Sequence, residues 1–389
     1  MNHVEELLNA MCPNGVVFQK LWTVTAWDKK FNAVENFKQA RTHKYVYKLA
    51  SELRELAVPD GDVKLLNTGA QDFGFTTKEK AGDSVAEGEV VTIPWGGTPS
   101  VQYFKGSFVT GDNRIAQVLD QKVIEAKFLY YVLLSRLEEI GSFYRGSGIK
   151  HPSMSHVLDM NIPLPPVAVQ KEIVRILDTF TELEAELEAE LEAELEARKK
   201  QYQHYRDILF SFPDGGVRWV PLGEVLRIKN GKDHKHLGDG QIPVWGTGGI
   251  MRYADQSFFN KPSVLIPRKG SLGNLFYTEE PFWTVDTLFY TEIDETVVLP
   301  KFIFRFLQTQ DLASMNEAGG VPSLTQTMLN KIPTPVLEIS KQKEIVSKID
   351  ALDELIYGTG QSLPAEIKAR RQQYEYYRDK LLTFREFAA

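Results

Sequence analysis

The sequence predicts an α+β protein. Two mixed α/β domains are separated by two long helices packed as an antiparallel coiled coil, and the whole carries an internal pseudo-twofold repeat. Three observations predict it. Residues 170–212 and 342–384 are two copies of one segment, identical at 20 of 43 positions without a gap. The first copy contains neither Gly nor Pro. The flanking stretches are short β-type runs broken by Gly and Pro, such as Glu89-Val90-Val91-Thr92-Ile93 before Pro94-Trp95-Gly96-Gly97.

Residues 1–12 read as a helix that repeats the end of the longer copies, because Pro13-Asn14-Gly15-Val16 resembles Pro213-Asp214-Gly215-Gly216-Val217. Residues 13–160 form the first globular domain, which closes on an amphipathic helix near 124–138. Residues 161–212 are a helical spacer. Residues 213–340 form the second domain, which closes on a helix near 299–312. Residues 341–389 are a second helical region. The domains repeat weakly as well: Pro152-Ser153-Met154 matches Pro322-Ser323-Leu324, and Ile162-Pro163 matches Ile332-Pro333. A period near 170 residues is too long for a solenoid and reads as a duplicated domain with its connector.

The first connector would make a rod of about 65 Å at 1.5 Å per residue. Leu195, Arg198, Tyr202, Tyr205, Leu209 and Phe212 alternate steps of three and four, as do Ile367, Arg370, Tyr374, Tyr377, Leu381 and Phe384. That is a coiled-coil seam, and its matched copies most simply pack against each other. Inside the first connector, 182–197 is four copies of Glu-Leu-Glu-Ala. No Lys lies four residues from these glutamates within the stretch, so their charges repel. Stability must come from burial of Leu183, Leu187, Leu191 and Leu195. Four residues advance about 400°, so this stripe turns by about 40° per unit. The stretch reads either as a solvated face or as a spacer whose length matters. Gly358-Thr359-Gly360 breaks the second connector, and Ser362 with Pro364 restarts it as a cap and a first-turn proline. The expected helix–helix contacts are therefore Leu183, Leu187, Leu191, Leu195, Tyr202, Tyr205, Leu209, Tyr374, Tyr377 and Leu381.

Composition narrows the function. The apolar content of 43% excludes a disordered chain, and no apolar run reaches the ~18 residues of a membrane span. Met1 to Glu6 lacks the basic and apolar blocks of a signal peptide. The single cysteine, Cys12, excludes an intrachain disulfide framework and a Cys-rich zinc site, so a cytoplasmic location is expected. The net charge of −7 by itself opposes nucleic acid, yet residues 161–212 alone carry 11 acidic and 6 basic side chains. The two domains are close to neutral, and either could present a basic face.

Catalytic patterns are missing. There is no phosphate-binding Gly-x-x-x-x-Gly-Lys loop, and Gly246-Thr247-Gly248-Gly249 lacks the third glycine of a dinucleotide fingerprint. His234 and His236 have no partner at metal-ligand spacing, so no metal site is expected. Asp60, Asp62 and Lys64 hint at a nuclease centre but are spaced like a turn. What remains are basic and aromatic clusters on loops: Lys29, Lys30, Arg41, Lys44, Arg145, Lys150 and His151 in the first domain. The second offers Lys232, His234, Lys235, His236, Arg252, Arg268, Lys269 and Ser271. Lys and Arg hold phosphates and Arg reads guanine in the major groove, so these are the DNA-binding candidates.

With these residues in view, the chain resembles the specificity (S) subunits of type I restriction-modification systems over nearly its full length. Trp219-Val220-Pro221-Leu222-Gly223, Ile242 to Ile250, Ile266-Pro267-Arg268-Lys269-Gly270-Ser271, Phe282 to Thr287 and Pro322-Ser323-Leu324 carry the likeness. The tetrapeptide repeats before Arg198-Lys199-Lys200-Gln201-Tyr202 resemble the type IC branch. The first domain departs from it: Pro94-Trp95-Gly96-Gly97 replaces the Arg-Lys-Gly-Ser run, so DNA contacts are not carried over from that motif. The resemblance implies two target recognition domains, each reading one half of a split double-stranded DNA site. It implies helices that set the spacer and dock two methyltransferase subunits, with endonuclease/translocase subunits completing the complex. S-adenosylmethionine would belong to the methyltransferase and ATP and Mg to the endonuclease, leaving this chain non-catalytic and without a cofactor. Two other readings stay open from the residues alone: a duplicated protein-binding adaptor, and a nuclease built on Asp60, Asp62 and Lys64.

Overall fold

The computed structural model describes residues 2–69, 71–213, 216–315, 322–357 and 363–387. The chain divides into two compact units, 1–188 with 368–389, and 189–367. The boundary falls inside one uninterrupted 43-residue helix, Val167–Leu209. Good helix formers and the absence of Gly and Pro explain its length.

Among the described residues the first unit holds ten strands: β1 (Val17–Lys20), β2 (Thr25–Trp27), β3 (Val63–Leu66), β4 (Phe75–Thr76), β5 (Ala86–Pro94), β6 (Gln102–Thr110), β7 (Asn113–Val118), β8 (Tyr144–Arg145), β9 (His151–Pro152) and β10 (Asn161–Leu164). Six make one sheet in the order β2-β7-β5-β6-β3-β4, antiparallel except for β3 beside β6. The helix Ala126–Ser135 buries Phe128, Leu129, Tyr131, Val132 and Leu133 against it, and Ile173 and Leu177 of the long helix join the same core. At full burial each such side chain stabilises by roughly 1.5–3 kcal/mol. The N-terminal helix Asn2–Met11 adds Val4, and the last helix, Leu363–Leu381, adds Leu381. Val16 N–H donates to Arg385 O at 2.8 Å and Phe387 N–H to Val16 O at 2.9 Å, so the segment 385–387 is tied to the start of this unit.

The second unit holds β11 (Arg218–Pro221), β12 (Leu226–Asn230), β13 (Asp239–Gly246), β14 (Gly249–Ala254), β15 (Ser263–Pro267), β16 (Phe276–Thr278), β17 (Trp283–Thr284), β18 (Leu288–Ile293) and β19 (Pro333–Val336). Seven of them form an antiparallel sheet β12-β18-β15-β16 and a smaller sheet β14-β13-β17, while β11 pairs antiparallel with β19. The helix Pro300–Leu307 packs Phe302, Ile303 and Phe306 into a core shared with Ile345 and Ile349 of the helix Ile339–Tyr357.

The duplication reaches the hydrogen bonds. Gln170, fully buried, accepts from Glu125 N–H at 2.8 Å and donates to Val123 O and Pro165 O at 2.8 and 2.7 Å. Gln342, equally buried, accepts from Leu299 N–H at 2.7 Å and donates to Val297 O and Leu337 O at 3.0 and 2.8 Å. Each amide satisfies the start of the domain's closing helix and the turn into its own helix. The ion pairs repeat too: Lys127 meets Asp178 at 2.7 Å, and Lys301 meets Asp350 at 2.7 Å. Gln342→Ala strands three part-buried backbone groups, so we expect it to destabilise the second unit by about 3 kcal/mol. A thermal melt that leaves this unit unchanged would contradict that role.

The helical seams pair head to tail rather than copy to copy. In the first unit Phe180 faces Tyr377 with ring centroids 6.4 Å apart, the Thr181 and Tyr374 hydroxyls are 3.0 Å apart, and Arg371 pairs with Glu188. In the second unit Tyr202 lies against Asp353 in a core with Ile349 and Ile356. The 367–384 seam thus packs on the start of the long helix, and the 195–212 seam on 345–356. The expectation that the matched seams meet each other is corrected. Antiparallel helices bring the end of one copy to the beginning of the other.

The leucine stripe is buried only in part. Leu191 is 8% exposed and Leu195 packs on the second core, whereas Leu183 is 55% exposed. A turn of about 40° per unit carries a four-residue stripe off any straight groove within a few repeats. Leu183 and Leu187 line a groove with Phe180, Tyr374 and Tyr377. Tyr202 is buried, Leu209 is half-buried, and Tyr205 is 44% exposed beside His204, outside the seam that its spacing predicts. The second connector comprises the helices Ile339–Tyr357 and Leu363–Leu381, with Pro364 in the first turn of the latter. Gly358, Thr359, Gly360 and Ser362 lie outside the described residues.

Candidate nucleic-acid interface

In the first unit the candidates converge on one end of the six-stranded sheet. Lys29 and Lys30 are exposed immediately after β2, and the segment with exposed Arg41 and Lys44 runs beside that strand through the Trp27–Thr42 bridge. Under them sits Asp28, whose side chain is fully buried. It accepts from Tyr47 Oη at 2.7 Å, Arg114 Nη1 at 3.1 Å and Ile115 N at 3.0 Å. Burial, and then the charge of Asp28, pushes the Tyr47 hydroxyl well above its usual range, so it remains a donor at any physiological pH. The same causes push Tyr45 up to about 12. Its hydroxyl is buried and has no hydrogen-bond partner.

Arg114 in turn lies 5.9 Å from the Phe31 ring and 5.4 Å from that of Trp95. Trp95, 44% exposed, packs on His151 with centroids 4.9 Å apart, and His151 Nδ1 is 2.9 Å from Trp95 O. Arg145 pairs with His151 across the β8–β9 hairpin, whose linker includes exposed Lys150. Chain connectivity and these contacts therefore link all seven candidates of this domain around Asp28, Arg114 and Trp95.

In the second unit the candidates are less uniform. Arg268, Lys269 and Ser271 occupy the loop between β15 and β16, with Arg268 Nη1 only 3.4 Å from Asp286 O, and Lys269 and Ser271 exposed. The same loop holds the β13–β14 hairpin tip through Asn274 Nδ2, which donates to Thr247 O at 3.0 Å. That hairpin exposes Ile250 and Met251, side chains that no basic-cluster search would select, together with Tyr253. Arg252 beside them is engaged internally, donating to Leu237 O, Gly238 O and Asp239 Oδ1, each at 3.1 Å. Lys232 lies 5.2 Å from the Phe258 ring, and His236 packs on Trp283 at 5.4 Å. Lys235 is exposed, whereas His234 is half-buried with Nδ1 unpartnered.

Among the described residues no group of three His, Cys, Asp or Glu is placed to hold a metal, and no helix is long and apolar enough to cross a membrane. Asp60 and Asp62 flank Gly61 in a turn, while Lys64 pairs with Asp72 at 2.7 Å. These contacts do not assemble the nuclease reading.

A family model described as the type I restriction modification DNA specificity domain matches the chain twice, over residues 60–197 and 216–369. The chain belongs to this family. A putative type I restriction enzyme specificity subunit of Haemophilus influenzae is 29% identical over 325 residues, covering 77% of this chain and 83% of that one. The EcoR124I/EcoR124II specificity subunit of Escherichia coli is 30% identical over 296 residues, covering 66% and 70%. A solved structure described as the basis of complex assembly and conformational transition of the type I R-M system is 15% identical, with a TM-score of 0.65 over 85% of this chain and 96% of that one. The type I specificity fold accounts for the mixed domains and the long helices. The two family matches fall one on each side of 198–215, as the internal repeat requires.

Proposed function

We propose that this chain selects the DNA sequence acted on by a type I restriction-modification complex. Each of the two domains, 13–160 and 213–340, reads one half of a split target, and the helices set the spacer and dock two methyltransferase subunits. One observation carries the reading: two copies of the specificity domain, each closed by the same buried glutamine and ion pair, are joined by one unbroken helix. A protein with a duplicated specificity domain suits a target split into two half-sites. The methyltransferase would bind S-adenosylmethionine and modify adenine. Endonuclease/translocase subunits would use ATP and Mg. This chain would supply recognition without catalysis.

The test is a genome-wide map of methylated adenines in cells that express the neighbouring methyltransferase, with and without this chain. A bipartite motif is expected only with it. Methylation without sequence preference, from a complex that nevertheless forms, would leave only a docking role. Within the same map, Arg268→Ala is expected to relax one position of the second half-site by about tenfold and leave the first half unchanged.

A further inference from the structure

Trp95 stands where the second domain has Arg268, and the equivalence is structural. Pro94 pairs with Asn113 at the end of β5, as Pro267 pairs with Leu288 at the end of β15. Trp95 N–H donates to Asp112 O at 2.8 Å, and Arg268 N–H to Thr287 O at 2.8 Å. Two residues on, Gly97 and Gly270 adopt φ of +94° and +86°, a region that favours glycine. Their N–H groups tie the loop to the segment before the following short helix, through Lys150 O at 2.9 Å and Pro322 O at 3.1 Å. One backbone device thus presents an arginine in one domain and an indole in the other.

We propose that Trp95 is a specificity-determining contact of the first domain, packing its indole on a base or on a base-pair step of the DNA. This rests on the reading of the chain as a DNA specificity subunit. Its surroundings favour DNA as the occupant. Arg145, Lys150, Lys29 and Lys30 are exposed around the same end of the sheet and supply phosphate partners. The indole is held from behind by Arg114, anchored on buried Asp28, and on its flank by His151. A Cβ on Gly96 would come within 3.0 Å of Ile149 and His151 atoms, so the loop and the β8–β9 hairpin form one packed surface. Such a ring selects by apolar contact with a thymine methyl or by tolerance for an easily unstacked step, not by a donor–acceptor pattern. The two half-sites are therefore read by different chemistry.

The experiment uses the assembled methyltransferase complex carrying wild-type chain, Trp95→Ala or Trp95→Phe. In the methylation map, Trp95→Ala is expected to lose about tenfold selectivity at one or two positions of the first half-site, with the second half-site intact and Trp95→Phe largely restoring the first. The fluorescence difference between wild type and Trp95→Phe, which isolates this indole, should change on adding cognate duplex. That second readout decides the matter if the alanine variant fails to fold. An unchanged first half-site in Trp95→Ala, or a difference spectrum indifferent to DNA, would overturn the proposal while leaving the wild-type motif as support for the subunit's function. A wild-type chain without any motif would overturn both.

Discussion

Removing residues 186–189, one Glu-Leu-Glu-Ala unit, is expected to give a complex that still methylates both half-sites but with the spacer one or two base pairs shorter. Removing only two residues, 186 and 187, should reduce methylation to background. Helix geometry makes the difference. Four residues shorten the rod by about 6 Å, under two base pairs of rise, and turn the C-terminal part of the helix by about 40° from its starting phase. Two residues shorten it by only about 3 Å but rotate it by about 200°. The shorter deletion is thus the more damaging, a ranking opposite to that of a flexible tether, for which two missing residues hardly matter. The uninterrupted Val167–Leu209 helix is what motivates this ranking. The four-residue deletion also removes Glu188 and its pairing with Arg371, whereas the two-residue deletion takes only Glu186 and Leu187, and circular dichroism of both variants checks that the helix persists. A two-residue deletion that retains activity, or a four-residue deletion with the original spacer, would exclude the helix as a ruler.

The parts of this architecture legible in the sequence are those that repeat. Gln170 and Gln342 stand out because the offset aligns them, and their buried bonds explain why that residue recurs: only a carboxamide supplies an acceptor and two donors at once. The seam residues are legible for the same reason, though not their partners, since a period of 3.5 says which face is apolar and not what covers it. Leu183 and Tyr205 show this limit. Leu183 fits the four-residue stripe and Tyr205 the seam, and both remain exposed in the chain.

The candidate interface is less legible because exposure and pairing are tertiary properties. Arg252 looks like a free cation in sequence, but it fastens the base of its own hairpin. Trp95 looks like a lost motif, yet it takes over the position of Arg268. Asp28 and Arg114 are separated by 86 residues, and no local pattern joins them. Only the pairing of β2, β5 and β7 brings that carboxylate under that guanidinium.

That buried pair supports the second large expectation. Asp28→Ala should destabilise the first unit by about 3–5 kcal/mol, because it leaves the Arg114 guanidinium, itself 5% exposed, without its counter-charge. It also removes the acceptor of Tyr47, whose hydroxyl cannot ionise to compensate, and that of the Ile115 N–H. Asp28→Asn keeps the shape and loses the charge, and should fall between the two. The decisive variant is the double substitution Asp28→Ala with Arg114→Met, measured by thermal or denaturant unfolding. If the cost of the single change is mainly a stranded cation, removing the cation recovers a large part of it, and the double variant is more stable than Asp28→Ala alone. If the two losses simply add, the carboxylate acts through Tyr47 and the backbone instead. The same pair of variants separates fold from recognition: the double variant restores the domain without restoring the charge behind Trp95. A first half-site that stays relaxed in a stable double variant would place Arg114 in positioning the indole, and a fully restored half-site would confine the buried pair to stability.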